Sequence, residues 1–172
     1  YLLTGDFQKG PFIIGSEITI QEFDANLVAT GDTYHTEMLN NAGHYQIDIN
    51  LTEEIVEVSA DGYYFNEISG QLSNSQLRLS ALANVSGNEN VNVNILTHLS
   101  KKRIKTLVSE GKEFSVAKKQ AEEEVQNLFN FISANWEINN FDRMNISEYG
   151  DNNSYLLVVS AIIQNISMST PQ

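Results

Sequence analysis

Four basic residues, Lys101, Lys102, Arg103 and Lys105, fall within five positions, and seven of the ten Lys and Arg lie between positions 101 and 119. Ammonium and guanidinium groups this close can hold carboxylates, sulfates or phosphates, so the chemistry offered is anion binding. Two placements are open. The cluster can face solvent and meet an acidic glycan, lipid headgroups or an envelope protein. It can instead dock on the chain's own acidic half. Tyr63 and Tyr64, followed by Phe65, sit in a turn-like stretch at 61–67. They could form a sugar-stacking edge or pack into a core.

No other constellation carries chemistry. Ser, His and Asp are present without a GxSxG elbow or any other nucleophile spacing. Glu53 and Glu54 would point to opposite faces of a strand and share no site. There are no cysteines, which excludes disulfides and thiolate chemistry. The three histidines do not converge: a hairpin register places His35 opposite Asp48 and His44 opposite Leu39, while His98 belongs to a helix with Lys102 at i+4. Asp142 and the Asp151-Asn152-Asn153 run lack the glycine and distal glutamate of an EF-hand loop, so Asp151 reads as a helix cap or turn, with adventitious calcium as the alternative. The expectation is a non-enzyme with no catalytic residues, no metal and no cofactor.

The elements that must position these residues change character near Asn90. Before it, apolar residues alternate with polar ones, as in strands; after it, they recur at helical spacing. The first 100 residues hold Lys9 and Arg78 against 13 acids, net −11 of a total of −12. Such a surface repels phosphate backbones, so nucleic acid is not expected as a partner. Residues 12–23 place Ile18 and Ile20 at period two after a bend at Gly15-Ser16. Tyr34, Thr36 and Met38 alternate before a four-residue loop at 40–43, and Tyr45, Ile47 and Ile49 alternate after it. Pairing 38 with 45, 36 with 47 and 34 with 49 gives a self-consistent hairpin. Further strands are expected at 55–60 and 77–83.

The Asn-, Ser- and Gly-rich stretch 84–94 reads as a linker. Helix signals begin near Val93, with Leu96, Leu99, Ile104, Leu107 and Val108 as the stripe and Gly111 as the C-terminal stop. Ser115 is the expected cap of a second helix striped by Ala117, Ala121, Val125, Leu128 and Ile132. Residues 153–168 are almost continuously apolar and read as a helix buried on most of its circumference, with a strand as the alternative. The fold expected is therefore α+β: an antiparallel, Ig-like β-sandwich over 1–90, then a helical module over 91–172 that continues beyond the given C-terminus. No apolar run reaches the ~20 residues needed to span a bilayer.

Two resemblances add to this. GSEITI (15–20), NAGHYQI (41–47) and VSADGY (58–63) resemble the carboxypeptidase-regulatory, or transthyretin-like, β-sandwich, which implies a domain without catalytic residues. GPF (10–12), ADGYYFNE (60–67), VNVNILTHL (91–99), AKKQA (117–121) and ISEYGDNNSYLL (146–157) resemble envelope lipoproteins of Bacteroidetes-type bacteria. That resemblance implies export to the outer membrane surface or periplasm, through a lipidated cysteine upstream of Tyr1. It also implies membrane contact only through that anchor. The role expected is binding or scaffolding, toward a glycan or another envelope protein. The alternatives are a structural subunit of a surface fibre and, third, an unrecognised hydrolase.

Overall fold

The computed structural model describes residues 1–129, 138 and 140–169. The fold is α+β, with two sheets and three α-helices among the described residues. The strands are β1 (Leu2–Gln8), β2 (Glu17–Phe23), β3 (Ala29–Glu37), β4 (His44–Asp48), β5 (Ile55–Gly62), β6 (Leu77–Asn84) and β7 (Val93–Asn94). The helices are α1 (Ile95–Ser109), α2 (Phe114–Leu128) and α3 (Asp151–Ser169).

One sheet has the order β4-β1-β7, with β1 antiparallel to β4 and parallel to β7. The other has the order β3-β2-β5-β6 and is antiparallel throughout. Their apolar faces meet in one cluster: Leu3, Phe7 and Tyr45 from the first, Ile18, Ile20, Val56, Val58, Leu79 and Ala81 from the second. Period-two alternation puts the remaining residues of β5 and β6 on the opposite face. There Ile55 and Leu82, with Phe23, meet Ile104, Leu107 and Phe114 of α1 and α2 in a second cluster. Phe23 reaches that face by the same alternation, odd-numbered against Ile18 and Ile20 and opposite Ile55 in an unbroken β2–β5 register. The four-stranded sheet is thus covered by β1 and β4 on one side and by helices on the other.

The sequence-based hairpin is overturned. β3 pairs with β2, Ile18 opposite Thr36 and Ile20 opposite Tyr34, and β4 pairs with β1 in the other sheet. The loop 40–43 carries the chain between layers. Met38, Tyr45 and Ile49 still enter one core, but from opposite sheets. The histidine placement falls with the hairpin: His35 stands opposite Thr19, and His44 opposite Asp6.

The stretch 84–94 is no loose linker. Val85, Val91 and Val93 are wholly buried, and Val91 N–H donates to Thr4 O at 2.8 Å. The strand this segment joins is β1, which is not among the expected strands. Gly5 in β1 permits the approach, since a Cβ there would stand 2.0 Å from Val91 O.

Asn94 caps α1 with a reciprocal box: its Oδ1 accepts from Leu96 N–H and Thr97 N–H, and Thr97 Oγ1 accepts from Asn94 N–H. At the other end Gly111, at φ +94°, closes a Schellman turn through Gly111 N–H to Val108 O and Lys112 N–H to Leu107 O. α2 begins at Phe114, with Glu113 rather than Ser115 at the cap position and no side-chain cap bond. Ala117, Ala121 and Val125 are buried as expected, but Leu128 is 70% exposed, and Ile132 lies outside the described residues. Tyr155, Leu156 and Val159 of α3 are wholly buried, whereas Leu157 and Val158 are about two-fifths exposed. α3 is therefore buried on one side, not around most of its circumference. Asp61 and Gly62, read as a turn, close strand β5 opposite Arg78 and Leu77.

Candidate functional site

Three of the four clustered bases are directed at the chain's own carboxylates. Lys101 Nζ and Lys105 Nζ donate to the two oxygens of Glu57, at 2.9 and 2.7 Å. Glu57 lies on the face of β5 that α1 covers. Burial works against its charge, but the hydrogen bonds from Lys105 and Lys101 prevail and hold its pKa below the ordinary carboxylate range. Arg103 forks onto Glu124 of α2, Nε at 2.7 Å and Nη2 at 3.0 Å, a bidentate pair between the two helices. Lys102 is exposed and, among the described residues, has no carboxylate within ion-pair distance.

The adjacent tyrosines diverge. Tyr63 is 38% exposed and borders a shallow depression with Arg78. Tyr64 is drawn inward by a β-bridge to Phe12 and stacks on that ring at 6.2 Å. Its hydroxyl donates to Gln164 Oε1 at 3.3 Å. The two rings do not form one stacking edge. The histidines sit apart: His35 by Glu17, His44 by Asp6, and His98 by Ser80 Oγ. Burial, aided by Lys101, pushes the His98 pKa down. Among the described residues no three His, Asp or Glu side chains are placed to hold a metal.

A groove of about 1320 Å³ opens beside α2. One wall is the α1–α2 turn and the N-terminal half of α2, oriented by the Schellman turn at Gly111. The facing wall is the β2–β3 turn, with Asn26, and the connection after β6, with Asn84 and Asn88. Asn140, Asp142 and Arg143 close one end. Lys112, Lys119 and Arg143 line it, are exposed, and among the described residues pair with no carboxylate. Lys118 is different: its Nζ lies 2.8 Å from Asp142 Oδ1 and 3.4 Å from Glu122 Oε1. The second contact is an ion-pair distance without hydrogen-bond geometry, which leaves Glu122 Oε1 buried and unbonded. Burial first, and Asp142 next, raise the Glu122 pKa above the usual range, against the pull of Lys118. Lys112, Lys118 and Lys119 belong to the basic run at 101–119 that is visible in the sequence. Arg143 enters the site only through the fold.

A second polar cluster is enclosed where β1, the segment after β5 and α3 converge. Lys9 Nζ lies 2.6 Å from Glu67 Oε1, and both side chains are only 4% exposed. Gly10 N–H donates to Glu67 Oε2 at 3.2 Å, and Ser160 Oγ lies within hydrogen-bond distance of Glu67 Oε1 and Lys9 O. Lys9 Nζ also donates to Ser160 O at 3.1 Å and stands 5.8 Å from the centre of the Tyr64 ring. No local pattern could have revealed this cluster, because its members are 58 and 151 positions from Lys9.

No family model, curated protein or solved structure matches the chain. Among the described residues no helix is long and apolar enough to cross a membrane.

Proposed function

We propose that the chain is a non-enzymatic binding module of an exported bacterial envelope lipoprotein, and that the groove beside α2 takes an acidic glycan. The carrying observation is the set of three cations, Lys112, Lys119 and Arg143, that among the described residues pair with no carboxylate and line one groove of a chain with net charge −12. Elsewhere Lys9, Arg78, Lys101, Arg103 and Lys105 are all engaged with the chain's own carboxylates. A uronic acid presents a carboxylate for the cations and hydroxyls for the asparagine amides opposite, which both donate and accept. The lipoprotein resemblance supports export and anchoring. The meeting of two sheets over one core supports the transthyretin-like sandwich as the module's β framework.

The test is calorimetric titration with polygalacturonate oligosaccharides at low salt, with a neutral cello-oligosaccharide as control. Binding to the acidic sugar alone is expected, weakening as salt shortens the screening length to ~8–10 Å at physiological strength. It should be lost in the doubly reversed Lys119→Glu, Arg143→Glu protein. No binding at low salt would overturn the reading. A second reading, a fibre subunit, is favoured by β3, whose nine residues form an edge of the four-stranded sheet and are largely exposed. Concentration-dependent ordered association in sedimentation would move the assignment there.

A further inference from the structure

We infer that Lys9 and Glu67 condense to an intramolecular amide, a covalent tie between β1 and the segment that follows β5. Nζ and Oε1 stand 2.6 Å apart, with both side chains 4% exposed, so the reacting groups are already held together with little water between them. Fixed proximity of this kind replaces the encounter that makes the reaction slow between free molecules. An ion pair taken out of water forfeits much solvation that its mutual attraction repays only in part. Condensation removes both charges and returns one water to solvent.

The surrounding groups fit each stage. One proton passes from the Lys9 ammonium to the Glu67 carboxylate, leaving an amine and a carboxylic acid. The acid can donate to Ser160 Oγ, whose own proton then goes to Lys9 O at 3.1 Å, so the neutral pair remains hydrogen-bonded. The Nζ lone pair attacks Glu67 Cδ and forms the new C–N bond. Gly10 N–H, at 3.2 Å from Oε2, faces the oxygen on which negative charge develops. A second proton leaves nitrogen for the departing hydroxyl, with Ser160 Oγ within reach of Oε1 as relay. The Cδ–O bond then breaks and water departs. Nothing is oxidised or reduced, and no co-reactant is needed.

The inference is independent of the glycan reading; either can fail without the other. Its test is mass spectrometry of the whole purified chain under denaturing conditions, followed by proteolytic mapping. The expected intact mass is about 18 Da below the sequence mass, one water lost in a covalent modification. Trypsin should spare Lys9, and one linked peptide should contain both Lys9 and Glu67. Lys9→Arg should restore the full sequence mass, because guanidinium does not acylate in this way. An intact mass equal to the sequence mass would overturn the inference. So would a water loss mapped elsewhere, such as a succinimide at Asp61-Gly62. The wild-type peptide map decides the matter even if the variant fails to fold.

Discussion

Two glutamates packed against lysines respond to burial in opposite ways. Glu57 accepts from two lysines, and its folded pKa lies below the ordinary value. Its contribution is present at neutral pH and is lost as pH falls through that lowered value. Glu122 is buried with one oxygen unbonded, and its folded pKa lies above the ordinary value. Between the unfolded and folded values the folded state keeps a proton the unfolded chain has released. Stability is therefore greatest below the unfolded pKa and falls as pH rises through the raised value. Glu57→Gln should cost roughly 2 kcal/mol at pH 7 and progressively less in acid. Glu122→Gln should gain about 1 kcal/mol at pH 7, with the gain fading toward pH 4. Urea denaturation of both variants across this range checks the opposite slopes. Equal slopes would contradict the assigned environments.

At the scale of elements, α1 depends on its first turn more than on its intrinsic helicity. Its stripe was readable: Leu96, Ile104, Leu107 and Val108 are buried, and only Leu99 of the expected set is substantially exposed. Less readable was the work of Asn94. It closes the capping box, and its Nδ2–H also donates to Phe141 O at 2.8 Å, so one side chain ties β7, α1 and the segment before α3. Asn94→Ala should cost about 2 kcal/mol, the upper end for a lost cap. Asn94→Asp should recover little of it. An aspartate keeps the capping acceptor but sets a carboxylate oxygen against the Phe141 carbonyl. Full recovery in the aspartate, measured by urea denaturation, would show that the Phe141 contact contributes nothing.

The whole molecule is organised across residue 90 rather than on either side of it. β7 pairs with β1, Leu82 of β6 packs with Ile104 and Leu107, and Tyr155, Leu156 and Val159 join the cluster between the sheets. A fragment of residues 1–90 would expose Phe23, Ile55 and Leu82 on one sheet face and leave β1 without its parallel neighbour. Burying each large apolar side chain is worth ~1.5–3 kcal/mol, so the loss exceeds the margin of a domain that small. The fragment should give a collapsed amide spectrum by NMR, while the whole chain unfolds in one urea transition. A dispersed spectrum from the fragment would show that the β part folds alone.

The alternation of Ile18 and Ile20, of Val56 and Val58, and of Leu79 and Ala81 determined strands by itself, because side-chain direction along a strand is a local property. The spacing of the α1 stripe and the stop at Gly111 determined a helix for the same reason. The partners of those strands were decided only by tertiary structure. Tyr34, Thr36 and Met38 face Tyr45, Ile47 and Ile49 equally well as a hairpin or as strands of opposed sheets, since both arrangements bury the same alternating residues. The basic cluster was legible as charge, but its direction was not: Glu57 and Glu124 receive it only because β5 and α2 lie on either side of α1. Lys9, Glu67 and Ser160 carry no shared pattern along the chain. Their pairing exists because three distant segments close over one volume from which water is excluded.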